Sequence, residues 1–239
     1  MIDKYSLYAR VYPMLLMLLP IFLLGVTYSI DLQNLWHVGI STLIVSSLTF
    51  LFSQLGRNLG KMKEPKLWES WGGSPSVLSL RLKSPYLNQY TKTRYHTILQ
   101  MLCPVSKTPT LAGETSNPKA FDDVYETWSD YIRTHTRDVK EFHLLFKENM
   151  NYGFLRNLWG LKPIAIAIIF LAMIFNFLVF ASQKGDSNIL MFPKEFHISS
   201  GVLFFILVIW LSVITKRTVR IPAFAYAKRL CESVEQLNK

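Results

Sequence analysis

Cysteine is nearly absent: Cys103 and Cys231 are the only two in 239 residues. Two thiols cannot form a metal constellation, and both fall on the side read below as cytoplasmic, where a disulfide is not expected. Also missing are GxxxxGK[ST], HExxH, GxSxG, GxGxxG and any CxxC pair, so none of the common nucleotide-hydrolysing, zinc-hydrolase, serine-hydrolase or dinucleotide signatures is present. Acidic residues are few, 16 against 26 Lys and Arg, for a formal charge of +10. Most informative is where charge is missing altogether. No Asp, Glu, Lys or Arg occurs in 11–30, 32–56, 163–183 or 198–215. Each run is long enough to cross a hydrocarbon core of about 30 Å at 1.5 Å per residue. A soluble cytoplasmic enzyme and a freely diffusing nucleic-acid binder are both excluded.

The remaining charge is one-sided. Residues 57–162 carry 16 of the 26 basic residues, 216–239 carry 6 and the first ten carry 2, while 31–34 have none and 184–197 have 2. The positive-inside rule then puts both termini and the central segment in the cytoplasm of a multi-pass inner-membrane protein. The first apolar run lacks a small-residue cleavage pattern and is followed at once by a second, so it reads as a retained span. The expected architecture is an all-α membrane protein with four transmembrane helices and a mostly helical cytoplasmic domain inserted between spans two and three. Its parts are an N-terminal hairpin 1–56 (spans about 11–30 and 35–55), a basic domain 57–162, a second hairpin 163–215 (spans about 163–183 and 198–215) and a tail 216–239.

Span two has a stripe of small and hydroxylated residues, Gly39, Thr42, Ser46, Thr49, Ser53 and Gly56, spaced alternately by three and four. Such a stripe either packs against another helix or lines a pore with helices from several subunits. Pro20 should bend span one. Asn176, the amide within the apolar run of span three, should find a partner on a neighbouring helix. No span carries a charged residue, which argues against an ion-coupled transporter.

In the central segment Val77 to Lys83 alternates apolar and polar residues and predicts a short strand or extended arm. Ser84-Pro85 predicts the start of a helix that ends near Cys103. Asn117-Pro118 starts another, with Phe121, Tyr125, Trp128, Ile132, His135, Val139, Phe142 and Phe146 at heptad-like spacing. That pattern predicts one long helix over about 118–150. Trp128, Ile132, His135, Val139 and Phe142 form its candidate oligomer seam. Asp122 and Asp123 read as first-turn acids favouring the helix dipole. Nothing recommends a carboxylate pair for catalysis, so no enzyme, metal or cofactor is expected. Cations and aromatics do interleave: Trp71, Arg81, Lys83, Tyr90, Lys92, Arg94, Tyr95 and His96 fall within a short stretch that suits phosphates and stacked bases. The same residues can instead form the domain's core, or contact a protein partner or lipid headgroups.

The segments WGGSPSVLSLR, TKTRYHTIL and ENMNYGFLRNLWGLKP, within Leu67 to Pro163, resemble bacterial four-span membrane effectors of anti-phage defence, of the Hailong type. This resemblance implies a homo-oligomer, plausible as a tetramer, that acts as a channel or disrupts the membrane in abortive infection. Its ligand would be a nucleotide or single-stranded oligonucleotide made by a nucleotidyltransferase partner. A similar pattern belongs to Kiwa-type membrane subunits, which implies instead a sensor and scaffold that recruits a soluble defence protein.

Overall fold

The computed structural model describes residues 4–28, 35–185 and 187–237, with side chains for all of these except 35–50 and 184. Among the described residues the chain is helical and contains no strand. Among the described residues three helical stretches are long and apolar enough to cross a membrane: Lys4–Thr27, His143–Gln183 and Lys194–Ser212. The expected second span falls mostly among residues whose side chains are not described. The first expected hairpin, 31–34, lies outside the described residues.

The chain divides into two compact units. One, the span unit, comprises Met1–Lys63 and Gly153–Val219; the other, the inserted unit, comprises Glu64–Tyr152 and Arg220–Lys239.

The span unit begins with α1 (Lys4–Ser6), a π-helical turn Leu7–Val11 and α2 (Tyr12–Thr27). Helix α3 (Leu35–Trp71) starts in this unit and α8 (His143–Lys184) ends in it; a 3₁₀ turn Ile189–Met191 precedes α9 (Lys194–Ser212). The π turn has a local cause. Pro13 has no N–H to give the carbonyl of Ala9 four residues earlier. Asn157 fills the vacancy, donating from Nδ2 to Ala9 O at 2.6 Å. The unit's core holds Met14, Met17, Leu158, Leu161, Ala165, Ile169, Ile206, Leu207, Trp210 and Ile214. Outward, Leu171, Ile174 and Leu178 on α8 and Ile198, Phe204 and Phe205 on α9 are exposed. A water-facing surface rarely carries apolar rows of that extent, whereas lipid tails solvate them.

The inserted unit holds the shorter helices: α4 (Pro75–Leu80), α5 (Gln89–Leu102), α6 (Leu111–Ser116), α7 (Pro118–His135), much of α10 (Lys216–Glu232) and α11 (Val234–Leu237). Its core is Val77, Leu80, Tyr95, Ile98, Leu99, Phe121, Tyr125, Trp128, Ile132, Phe142, Leu145, Leu230, Cys231 and Val234.

Three local expectations are corrected here. Residues 77–83 are not a strand: Pro75–Leu80 is a helix capped by Ser74, whose Oγ accepts from Val77 N at 3.4 Å. All six of its residues are buried, so alternation along the chain carried no information about a solvent face. Helix α5 starts later than Ser84-Pro85, because Asn88 Oδ1 caps Tyr90 N at 2.9 Å. The long helix over 118–150 is two helices. Helix α7 ends at His135, where Thr136 Oγ1 turns back to Ile132 O at 2.8 Å. Asp138 Oδ1 then accepts from Lys140 N at 2.8 Å and from Glu141 N at 3.4 Å, so the chain turns before α8 begins at His143. Short polar side chains that bind nearby backbone groups compete with the helix ladder.

Candidate functional site

Part of the cation and aromatic cluster folds inward. The turn that opens it needs Gly72 and Gly73 at φ +90° and +143°, a region that side-chain-bearing residues rarely adopt. Arg81 follows α4 and donates from Nε and Nη2 to the two carboxylate oxygens of Asp122 at 2.7 and 2.6 Å, and from Nη1 to Gly72 O at 3.2 Å. This bidentate pair raises the Arg81 pKa above its ordinary value, the Asp122 hydrogen bond being the main cause. Asp122 is therefore an ion-pair partner rather than a first-turn acid.

The next residues are pinned from both sides. Lys92 is 2% exposed, and its Nζ donates to the carbonyls of Arg81, Leu82 and Ser84 at 3.2, 2.7 and 2.6 Å. Desolvation lowers its pKa, while the charge of Glu114 pulls the other way. Glu114 accepts from Leu82 N at 2.7 Å and Lys83 N at 3.3 Å, and also takes the Tyr125 hydroxyl. His96 shares a 2.8 Å hydrogen bond with Leu80 O and lies against the Tyr125 and Trp128 rings. Burial pushes its pKa below the ordinary value. Tyr95 is buried too, and desolvation pushes its hydroxyl up to about 12. Arg94 pairs with Glu235. Trp71 stacks obliquely on Phe224, centroids 6.0 Å apart.

Of the eight residues expected to bind a ligand, Lys92, Tyr95 and His96 are internal, Arg81 and Arg94 are ion-paired and Trp71 is half-buried. Lys83 and Tyr90 are exposed, Tyr90 at 87%. Six of the eight are thus engaged within the fold, by burial, an ion pair or a ring contact.

The oligomer seam divides in the same way. Trp128, Ile132 and Phe142 are buried in the core of their own chain, so they cannot also form a seam with a second copy. His135 and Val139 are exposed. His135 Nδ1 meets Tyr131 O at 2.8 Å, and the two rings stack at 4.0 Å. The seam's spacing survived the helix break because α7 and the start of α8 face one core.

In the span unit, the described end of the span-two stripe faces protein. Ser53 is buried, and a Cβ on Gly56 would lie 2.9 Å from Leu161 Cδ1. One turn further, a Cβ on Gly160 would lie 2.5 Å from Gly60 N. At that point α3 and α8 touch backbone to backbone. Lys63 Nζ reaches Gly160 O at 3.1 Å beside it. Thr42, Ser46 and Thr49 lie outside the residues whose side chains are described.

No family model, curated protein or solved structure matches this chain.

Asn176 is fully buried and satisfied. Tyr28 Oη donates to its Oδ1 at 2.8 Å, and its Nδ2 donates to Ser199 Oγ at 3.0 Å and Ser200 Oγ at 2.9 Å. Lys162 lies at the C-terminal end of α9, donating to Leu211 O at 3.1 Å and, just past the helix, to Ile214 O at 2.7 Å. A cation on the last carbonyls of a helix satisfies both their lone pairs and the helix dipole.

Sequence reasoning missed a second group of residues in the inserted unit. Arg133, Arg137, Asn149 and Tyr226 line a single cavity of about 330 Å³ around the 136–142 turn. In a helix running unbroken through 118–150, the two arginines would be read as solvated flank. Only the break at Thr136 and the return of α10 bring them together.

Proposed function

We propose that this chain is a four-span, multi-pass inner-membrane protein with both termini in the cytoplasm, acting as a homo-oligomeric effector of anti-phage defence. Span two is the apolar part of α3, over about 35–55. The cytoplasmic unit receives a nucleotide-type ligand, and the spans respond by opening a path or disrupting the membrane.

One observation carries this reading: the same continuous helix, α8, supplies Leu145 to the core of the inserted unit and Leu158, Leu161, Ala165 and Ile169 to the core of the span unit. A ligand that prefers one arrangement of the inserted unit would bias that helix, and a population shift needs only such a difference in affinity. Two assays test the proposal. Single cysteines at Gln33→Cys and Ser187→Cys should label from outside intact cells and Lys107→Cys should not. Expression should depolarise cells when the ligand is present. Labelling of Lys107→Cys from outside, or normal potential at full expression with ligand, overturns the reading.

The scaffold reading has one observation of its own. Most of the expected ligand cluster is spent on the fold, leaving Lys83 and Tyr90 on the surface. Loss of a bound soluble protein on Lys83→Glu, with depolarisation unaffected, favours the scaffold.

A further inference from the structure

We infer that the cavity around the 136–142 turn is the binding site for one nucleotide unit, free or at the end of an oligomer, with its phosphate on Arg137 and Arg133 and its base against Phe146 and Tyr226. This rests on the nucleotide-regulated reading above and moves its site away from the cluster between Trp71 and His96.

The phosphate end has two guanidinium groups in different states. Arg133 is oriented by Asp130, which accepts from Nε at 3.2 Å and Nη2 at 2.6 Å. Its Nη1 has only a long 3.4 Å reach to Ser76 Oγ. Arg137 is exposed and has no hydrogen-bond or ion-pair partner among the described residues. Two guanidiniums, one preset and one free to close, suit an anion with several acceptor oxygens. The carboxylate in the wall, Asp138, is held by the amides of Lys140 and Glu141. Phe142 and Leu145 of the same wall flank the start of the 42-residue helix α8, whose first turn carries partial positive charge.

The base end is aromatic and amide. Tyr226 lies parallel to Tyr152, centroids 6.3 Å apart at 13°, so its ring plane is set in advance. Phe146 is half-buried in the same wall. The amide of Asn149 has no partner among the described residues, and it offers both a donor and an acceptor to a base edge. A planar heteroaromatic ring with a phosphate matches all of these groups at once. The cavity volume, about 330 Å³, lies at the small end of the ligand-site range and admits one such unit.

Two other cavities of the inserted unit fit this ligand less well. The one beside Arg81 and Lys83, about 290 Å³, also presents Glu114 and Asp122, two carboxylates that oppose an anion. The larger groove along α5, about 540 Å³, has no charged side chain in its wall except through titration of His96, which is buried.

The full chain in detergent is titrated against a fluorescent ATP analogue and a labelled mixed-sequence single-stranded DNA oligomer, with unlabelled ATP, adenosine and pyrophosphate as competitors. Arg137→Glu should weaken binding by about tenfold or more, as expected for losing a charge-assisted contact. Asn149→Leu should weaken it by a smaller factor with unchanged thermal melting, and Lys83→Glu should leave it as it was. Competition of ATP with the oligomer assigns both to one nucleotide-sized site, and ATP that fails to displace the oligomer overturns that assignment. Binding that is indifferent to Arg137→Glu and Asn149→Leu overturns the inference. So does the absence of binding by every probe in a protein that still depolarises cells, an outcome that leaves the membrane-effector reading standing. Binding that follows the cavity variants with no depolarisation under any condition does the reverse.

Discussion

The two units solve the same packing problem in opposite solvents. In the span unit the outer surface is apolar, and polar groups lie inside: Asn176 between Tyr28, Ser199 and Ser200, and Asn157 on the carbonyl of Ala9. Helices approach through absent side chains, most closely where Gly160 meets Gly60. In the inserted unit large side chains fill the centre, Trp128 and Tyr125 among them, and ion pairs such as Arg81 with Asp122 sit partly exposed at the edge. Lipid offers apolar solvation to every leucine, so a span gains little by hiding one and more by close backbone contact and satisfied amides. Water penalises exposed rings, so the inserted unit gains by burying them.

Substitutions can break this comparison. The largest effect is expected for Trp128→Ala, at about 3–5 kcal/mol, because a fully buried indole leaves a cavity and frees the carbonyl of Cys103 that its Nε1 donates to at 3.0 Å. Thermal melting of the full chain in detergent should show an early transition. A melting curve like the wild type's would mean that the core is not aromatic-driven.

Next is Gly160→Leu, expected to cost up to about 3 kcal/mol because the added side chain meets the backbone of Gly60 rather than a movable tip. Its control is Gly201→Leu, where a Cβ meets no atom within 4 Å. The comparison requires that the first lose folded protein in membranes and the second not. Equal yields would refute the close-contact account of the span unit.

A pair of polar substitutions sharpens the contrast between solvents. Lys92→Met leaves three part-buried carbonyls without their donor and should cost about 1–3 kcal/mol. Asn176→Leu should cost less, about 0.6–1.7 kcal/mol, because the unfolded state within the membrane also finds partners for its polar groups. Chemical unfolding in mixed micelles measures both, and a reversed order would contradict the expected role of lipid.

The smallest effect is a pH slope. Burial lowers the pKa of His96 from its ordinary 6.5, so the unfolded chain takes up the proton first as pH falls. Its contribution is fully present above the ordinary value, declines below it, and levels off once pH passes the lowered folded value, with a slope of at most about 1.4 kcal/mol per pH unit. Melting between about pH 8 and about pH 5 should show this loss, and His96→Asn should flatten it. The groups facing His96 are Leu80 O, Tyr125, Trp128, Glu114 and Lys92. An unchanged slope in the variant would assign the effect to another group.

Much of the membrane part was legible because it depends on composition along one dimension. Three of the charge-free runs overlap the described helices long enough to span, Lys4–Thr27, His143–Gln183 and Lys194–Ser212. Asn176 could be read as an amide in need of neighbouring partners, though not which ones. In the inserted unit, by contrast, the starts of α4 and α7 carry Ser-Pro and Asn-Pro signals, and the alternation over 77–83 masks the first. The seam from Phe121 to Phe146 was a true burial pattern and a false helix, because spacing does not register a turn whose two sides face one core. Cations failed as markers for a related reason. Lys92 and Lys83 are alike in the chain, yet one is internal and the other solvated.

Sequence alone determined that this chain contains membrane-length apolar helices and a basic segment between them, since length and the transfer cost of charge depend only on residue order. Tertiary structure decided which polar residues were already satisfied. The carbonyls of Arg81, Leu82 and Ser84 captured Lys92, and Asp122 captured Arg81. The turn at Thr136 put Arg137 in one cavity wall with Asn149, and among the described residues Arg137 has no hydrogen-bond or ion-pair partner. Residue order sets what each side chain can bind, and folding sets which binding capacity remains unspent.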